Sequence, residues 1–212
     1  MADQNLCADL VIEDVDMAEP YKEMFLAQKR LQIRLASITV DENPVVIANK
    51  CIYWHFCISA ELKELTDWLK PTAPIMDPMM ILKEARMEAI DILHFILNIG
   101  IELRYSEDEI ESIINSLIKV KPTMVSADLL LSYCILVNHR TIECIEIMPW
   151  KSWKTYPDLA LSDVRQLLNE EYTKLLGSIF NLCANLGMSN KDVVNFYFAK
   201  NKENHVRQDN GY

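Results

Sequence analysis

Four acids stand in two pairs, Glu61 with Glu64 in AELKEL and Glu88 with Asp91 in MEAIDIL. Each pair is spaced i,i+3, so on a helix both members project from one face, about 5–6 Å apart at Cβ. Their neighbours are strongly apolar: Ile58, Ala60, Leu62 and Leu65 around the first pair, Ala89, Ile90, Ile92 and Leu93 around the second. Carboxylates gathered in such surroundings cannot all stay ionised without compensation, because desolvation and like charge both oppose it. A hard divalent cation supplies that compensation. Mg2+ takes oxygen ligands, is commonly held by carboxylates, and fills the rest of its shell with water and substrate phosphates. An EL.EL pair alone also describes a solvated helix edge. The second pair, in a stretch from Ile90 to Arg104 with Glu102 as its one further acid after Asp91, points to a carboxylate metal site.

The elements that must position these acids are helices. Gly is scarce, at four, while Leu, Ile, Met, Ala and Glu are plentiful, and no alternating β-branched run reads as a strand. Pro20 suits the first turn of a helix, and Met24, Phe25, Leu31 and Leu35 give it an apolar stripe with Gln28 and Gln32 sharing one face. A second helix runs from about Val45 to Leu69. KPTAPIMDP, with three prolines, breaks it. A third runs from about Met79 to Leu103. Ser106 with Glu109 forms a capping box for a short helix to about Val120, and Ser126 caps a fifth through Ile147. Ser162 opens a sixth that ends near Gly187, and Ser189 with Asp192 starts a last helix of about three turns. The expected fold is all-α, a bundle-like single domain of six or seven helices. Residues 1–18 form an acidic flexible start, 19–199 the domain and 200–212 a closing segment.

Other residues could recognise a substrate. Trp54 lies two turns before Glu61 and could stack on a base, or serve as an ordinary core residue. Asn98, between Leu97 and Ile99, needs a buried partner, which a sugar hydroxyl or a carboxylate would supply. His94, one turn beyond Asp91, reads as a packing group. Lys200, Asn201, Asn204, Arg207 and Gln208 crowd the chain end, where Lys and Arg supply charge-assisted donors and Arg can grip phosphate bidentately. A frayed charged terminus is the plain alternative. Glu143 and Glu146, followed by Glu171 and Lys174, faintly echo the first two acidic pairs with Lys in the last place. A duplicated helical hairpin would explain the echo. So would the general likeness of helices built from Glu, Leu and Ile.

ExxE, a helical break, then ExxD followed by DILHFILNIGI resembles the all-α nucleoside triphosphate pyrophosphatases, and within them the dimeric dUTPases. The closing KNKENHVRQDNGY is similar to the last motif of that family, and the likeness spans about Gln28 to Tyr212. It implies Mg2+-dependent hydrolysis of dUTP, with dUDP as a second substrate, to dUMP by metal-activated water. Glu61, Glu64, Glu88 and Asp91 would hold two or three Mg2+ ions, with Mn2+ substituting, and would carry the chemistry. Gln28 and Gln32 would read the uracil edge, Gln32 standing where relatives carry Asn. An amide at either position offers both a donor and an acceptor. Trp54 and Asn98 would complete the substrate site. Lys174 would face the phosphates, and Lys200, Asn201, Asn204 and Arg207 would fold over them. The resemblance also implies a homodimer. The change at position 32 keeps another nucleotide such as dCTP open as substrate, and an inactive helical interaction protein is the rival of another class.

Composition sets outer limits. With 212 residues, half of them apolar, the chain is long enough for one domain with a sizeable core. A formal charge of −10 argues against a general nucleic-acid binder. The six cysteines form no CxxC, and Cys51, Cys57, Cys134, Cys144 and Cys183 read as buried hydrophobes in a reducing compartment. The acidic N-terminus is unlike a signal peptide, and the most apolar window, Leu129 to Val137, is too short to span a bilayer. An intracellular protein, cytoplasmic or nuclear, with no membrane partner is the expectation.

Overall fold

Proline opens three of the helices. In the computed structural model, described for residues 17–35, 37–38, 43–70, 77–119, 127–151, 153–156 and 160–211, seven helices and no strand occur among the described residues. They are α1 Pro20–Arg34, α2 Pro44–Leu69, α3 Pro78–Glu102, α4 Glu107–Ile118, α5 Ala127–Ile147, α6 Leu161–Asn185 and α7 Asn190–Asp209. The expected all-α single domain is what forms. Pro20, Pro44 and Pro78 occupy first-turn positions, where a missing N–H costs nothing. Asn43 and Asp77 cap α2 and α3 by accepting from the backbone N–H groups of Val45 and Met79.

Both capping boxes expected from Ser106–Glu109 and Ser189–Asp192 are present. The sixth helix starts slightly earlier than its sequence suggests. Its cap is Ala160, whose N–H donates to the Asp163 carboxylate at 2.8 Å, so Ser162 lies inside the first turn. The last helix is longer than the three turns expected. It runs 20 residues and carries Lys200, Asn204 and Arg207 on consecutive turns. Ser126 and Tyr212 lie outside the described residues, as do positions 1–16 of the acidic start.

α3 is the central element. From Ile96 to Glu102 every residue is buried, as expected of a helix surrounded on all sides. α2 packs along it, α6 and α7 cover further faces, and α1 bridges α3, α4 and α7. Gly100 lets α6 approach: a Cβ there would lie 2.4 Å from the Tyr172 hydroxyl. α5 pairs with α6 much as α2 pairs with α3, and it also rests on α2. Of the five cysteines expected to be buried, Cys51, Cys134, Cys144 and Cys183 are, and Cys57 is half-buried; all five are free thiols. No described helix is long and apolar enough to cross a membrane.

Candidate active site

The contact of α2 with α3 brings the acids together. Carboxylate oxygens of Glu61, Glu88 and Asp91 all lie within 4.8 Å of one another, and each residue is half-buried. Burial, then the charges of Asp91 and Glu88, push the Glu61 carboxyl up to about 8. Burial and Asp91 raise Glu88 as well, while a hydrogen bond with Glu61 pulls it down. An all-oxygen donor set of three carboxylates fits a hard divalent ion. Glu64 is not one of the three converging acids. It is exposed, outside the three-acid cluster, although its charge still reaches Glu61.

A cavity of about 450 Å³ opens beside Glu61 and Asp91 and extends toward α1. Its far end is a buried polar chain. Gln28 Nε2 donates to Asn98 Oδ1 at 2.6 Å, and the Tyr197 hydroxyl donates to Gln28 Oε1 at 2.9 Å. Gln32 also lines the cavity, its amide oxygen accepting from Ser37 Oγ. Trp54 stacks on Phe95 with centroids 5.8 Å apart, and the Lys50 ammonium sits 5.2 Å from the Trp54 ring. Amides and flat rings at one end and carboxylates at the other match the two ends of a nucleotide.

α7 forms the remaining wall. Lys200, Asn204 and Arg207 line the cavity, whereas Asn201 is buried beside it. Lys200 Nζ lies 2.9 Å from Asp91 Oδ2. Arg207 Nη2 lies 2.5 Å from Glu203 Oε1. The expected donor strip is thus a helix face aimed at the acids.

Lys174 is the expected residue that this arrangement leaves out. Its ammonium pairs with Glu170 at 2.7 Å and Glu171 at 2.6 Å on its own helix, and it does not line the cavity. Arg140 reaches both Glu143 at 2.5 Å and Glu171 at 3.4 Å. The second acidic group therefore has cations from α5 and α6, whereas the first is faced by Lys200 of α7. Sequence reasoning passed over Tyr197, Phe95 and Lys50. Tyr197 carried a signal, because a hydroxyl in the run VVNFYFA needs a buried partner.

A helical fold that sets an acidic cluster at one end of such a cavity suits a hydrolase of nucleoside phosphates. A family model described as dUTPase matches residues 21–212, nearly the whole chain, and the chain belongs to that family. It is a dUTP-hydrolysing enzyme. Neither the curated proteins nor the solved structures contain a match.

Proposed function

We propose that the chain hydrolyses dUTP to dUMP and pyrophosphate with Mg2+ held by Glu61, Glu88 and Asp91, and with Glu64 joining from the rim. The observation that carries this reading is the three-carboxylate cluster, oxygens within 4.8 Å, at one end of a cavity whose other end is Gln28 and Asn98. Bound Mg2+, in two or three copies, would activate water and neutralise phosphate charge. The chain's own groups do the rest. Glu61 orients the water and receives its proton. Gln28, Gln32 and Asn98 select the base edge, Trp54 stacks on it, and Lys200, Asn201, Asn204 and Arg207 hold phosphate oxygens. dUDP fits the same site with one phosphate fewer.

A homodimer accords with apolar side chains left on the surface, notably Phe56 at 67% exposure on α2 and Ile135 at 70% on α5. Five free thiols suit a reducing compartment, and we place the enzyme in the cytoplasm or nucleus.

The test is product analysis across dUTP, dUDP, dCTP and dTTP with Mg2+, with Mn2+ and with EDTA, alongside E88Q and D91N. dUTP should give dUMP and pyrophosphate, EDTA should stop it, and each variant should lose at least 100-fold in kcat. Undiminished turnover in EDTA, or wild-type turnover in both variants, would overturn the metal assignment.

A further inference from the structure

Lys200 occupies an unusual place for a lysine. It is 9% exposed, and its ammonium lies 2.9 Å from Asp91 Oδ2 and 3.7 Å from Glu203 Oε2. A buried ammonium persists in such a place only with opposite charge around it. Asp91 is also one of the three acids whose oxygens converge within 4.8 Å. The lysine thus brings a positive charge directly to the cluster.

Two further observations bear on this arrangement. Two buried polar atoms around it lack a hydrogen-bond partner, His94 Nε2 and Glu203 Oε2, as does Asn201 Nδ2 on the same helix as Lys200. His94 lines the cavity, and its other ring nitrogen is engaged by the Ile90 carbonyl at 2.9 Å. Unsatisfied buried groups are costly and call for an explanation. Arg207, the second cation of the α7 face, is likewise held by Glu203 at 2.5 Å. In the chain alone, both cations are therefore spent on carboxylates of the protein.

We propose that Lys200 is an internal counter-cation of the carboxylate cluster, that a divalent ion displaces it from Asp91, and that its ammonium then passes to the phosphates of the substrate. The proposal rests on reading Glu61, Glu88 and Asp91 as metal ligands. A divalent ion bound about 2.0–2.1 Å from an Asp91 oxygen would stand within a few ångströms of the present ammonium position, and the two cations would repel. The swap keeps the acids partly neutralised before metal arrives. It also couples the two ligands: metal frees a phosphate-binding group, so nucleotide must tighten metal in return.

The test is Mn2+ binding without nucleotide at pH 8.5, read from the paramagnetic resonance of free Mn2+, in wild type, K200M, K200Q, K200R and E88Q. K200M and K200Q should bind about tenfold more tightly than wild type, about 1.4 kcal/mol. K200R, which keeps the charge, should stay within about threefold, and E88Q should bind weakly. A measurement on the wild type needs no variant to fold: Mn2+ should accelerate acetylation of Lys200, followed by mass spectrometry, at least threefold. Unchanged or weaker Mn2+ binding in both neutral variants, or an unchanged acetylation rate, would overturn the counter-cation role while leaving the metal reading in place. No Mn2+ binding by wild type at millimolar concentration would remove both.

Discussion

The hydroxyl of Tyr197 on α7 lies 2.9 Å from the amide oxygen of Gln28 on α1, joining residues 169 positions apart. The same hydroxyl lies 3.0 Å from the Met24 carbonyl, and both residues are fully enclosed. Because Gln28 Oε1 accepts from Tyr197, its Nε2 is left to donate to Asn98. One phenol thus fixes which way round the Gln28 amide is presented.

Y197F tests that relationship. Losing the hydroxyl should cost about 1–3 kcal/mol, since a buried acceptor is left unpaired. It should also lower the preference for dUTP over dCTP, because the Gln28 amide is free to turn over. Denaturant unfolding and competition kinetics measure the two effects. Undiminished base preference in Y197F would show that Gln28 is oriented by something else.

The acid cluster and a histidine give opposite pH dependences. Glu61 titrates at about 8 in the fold, far above its ordinary value, so the folded state holds a proton that the unfolded chain has lost. Metal-free stability should therefore fall as pH rises from about 4.5 to about 8. His55 is fully buried with neither ring nitrogen paired, and burial pushes it down to about 3. Here the unfolded chain takes up the proton first, so stability should fall as pH drops from about 6.5 toward 3. Thermal melts in EDTA should peak near pH 5–6. E61Q should flatten the alkaline limb, H55L the acidic limb, and Mg2+ should lift the alkaline limb in wild type. An alkaline limb of equal slope in E61Q would refute its assignment to Glu61.

Gly100 should tolerate no side chain. A Cβ there meets the Tyr172 hydroxyl at 2.4 Å and Phe25 at 3.3 Å, and that hydroxyl donates to the Ile96 carbonyl at 3.2 Å. G100A should destabilise by about 1–3 kcal/mol through overpacking. Adding Y172F should restore part of the loss, giving a coupling that a double-mutant cycle reads directly. Additive effects would place the strain elsewhere.

Lys174 separates the geometry from the family likeness. Its ammonium is engaged by Glu170 and Glu171 and lies off the cavity. K174M should hold kcat/KM for dUTP within about threefold. A loss of 10–100-fold, about 1.4–2.8 kcal/mol of transition-state stabilisation, would restore the phosphate role read from the sequence.

What the sequence made legible follows from how local each signal is. Both capping boxes, the Pro20 start and the i,i+3 spacing of Glu88 and Asp91 act within a few residues, and the helices follow them. The length of α7 was misjudged because a crowd of charges reads as a chain end, whereas Lys200, Asn204 and Arg207 keep helical spacing. The Gln28–Asn98–Tyr197 chain was out of reach. Its members are 70 and 169 positions apart, and no periodicity announces a partner at that distance. Glu64 shares a sequence pattern with Glu61 but not its burial, because burial depends on where α3 crosses α2.

That Lys200 comes from α7, while the acids it faces come from α2 and α3, gives synthesis on the ribosome a particular order. The acidic hairpin emerges first, and Lys200 follows Glu88 by about 110 residues, or roughly 6–22 s of elongation. During that interval the nascent helices carry these carboxylates without Lys200 opposite them. Protons, or free magnesium in the surrounding solution, are the available substitutes. On the proposed metal reading, magnesium supply should set how readily the nascent α2–α3 pair docks, before there is any nucleotide site to fill.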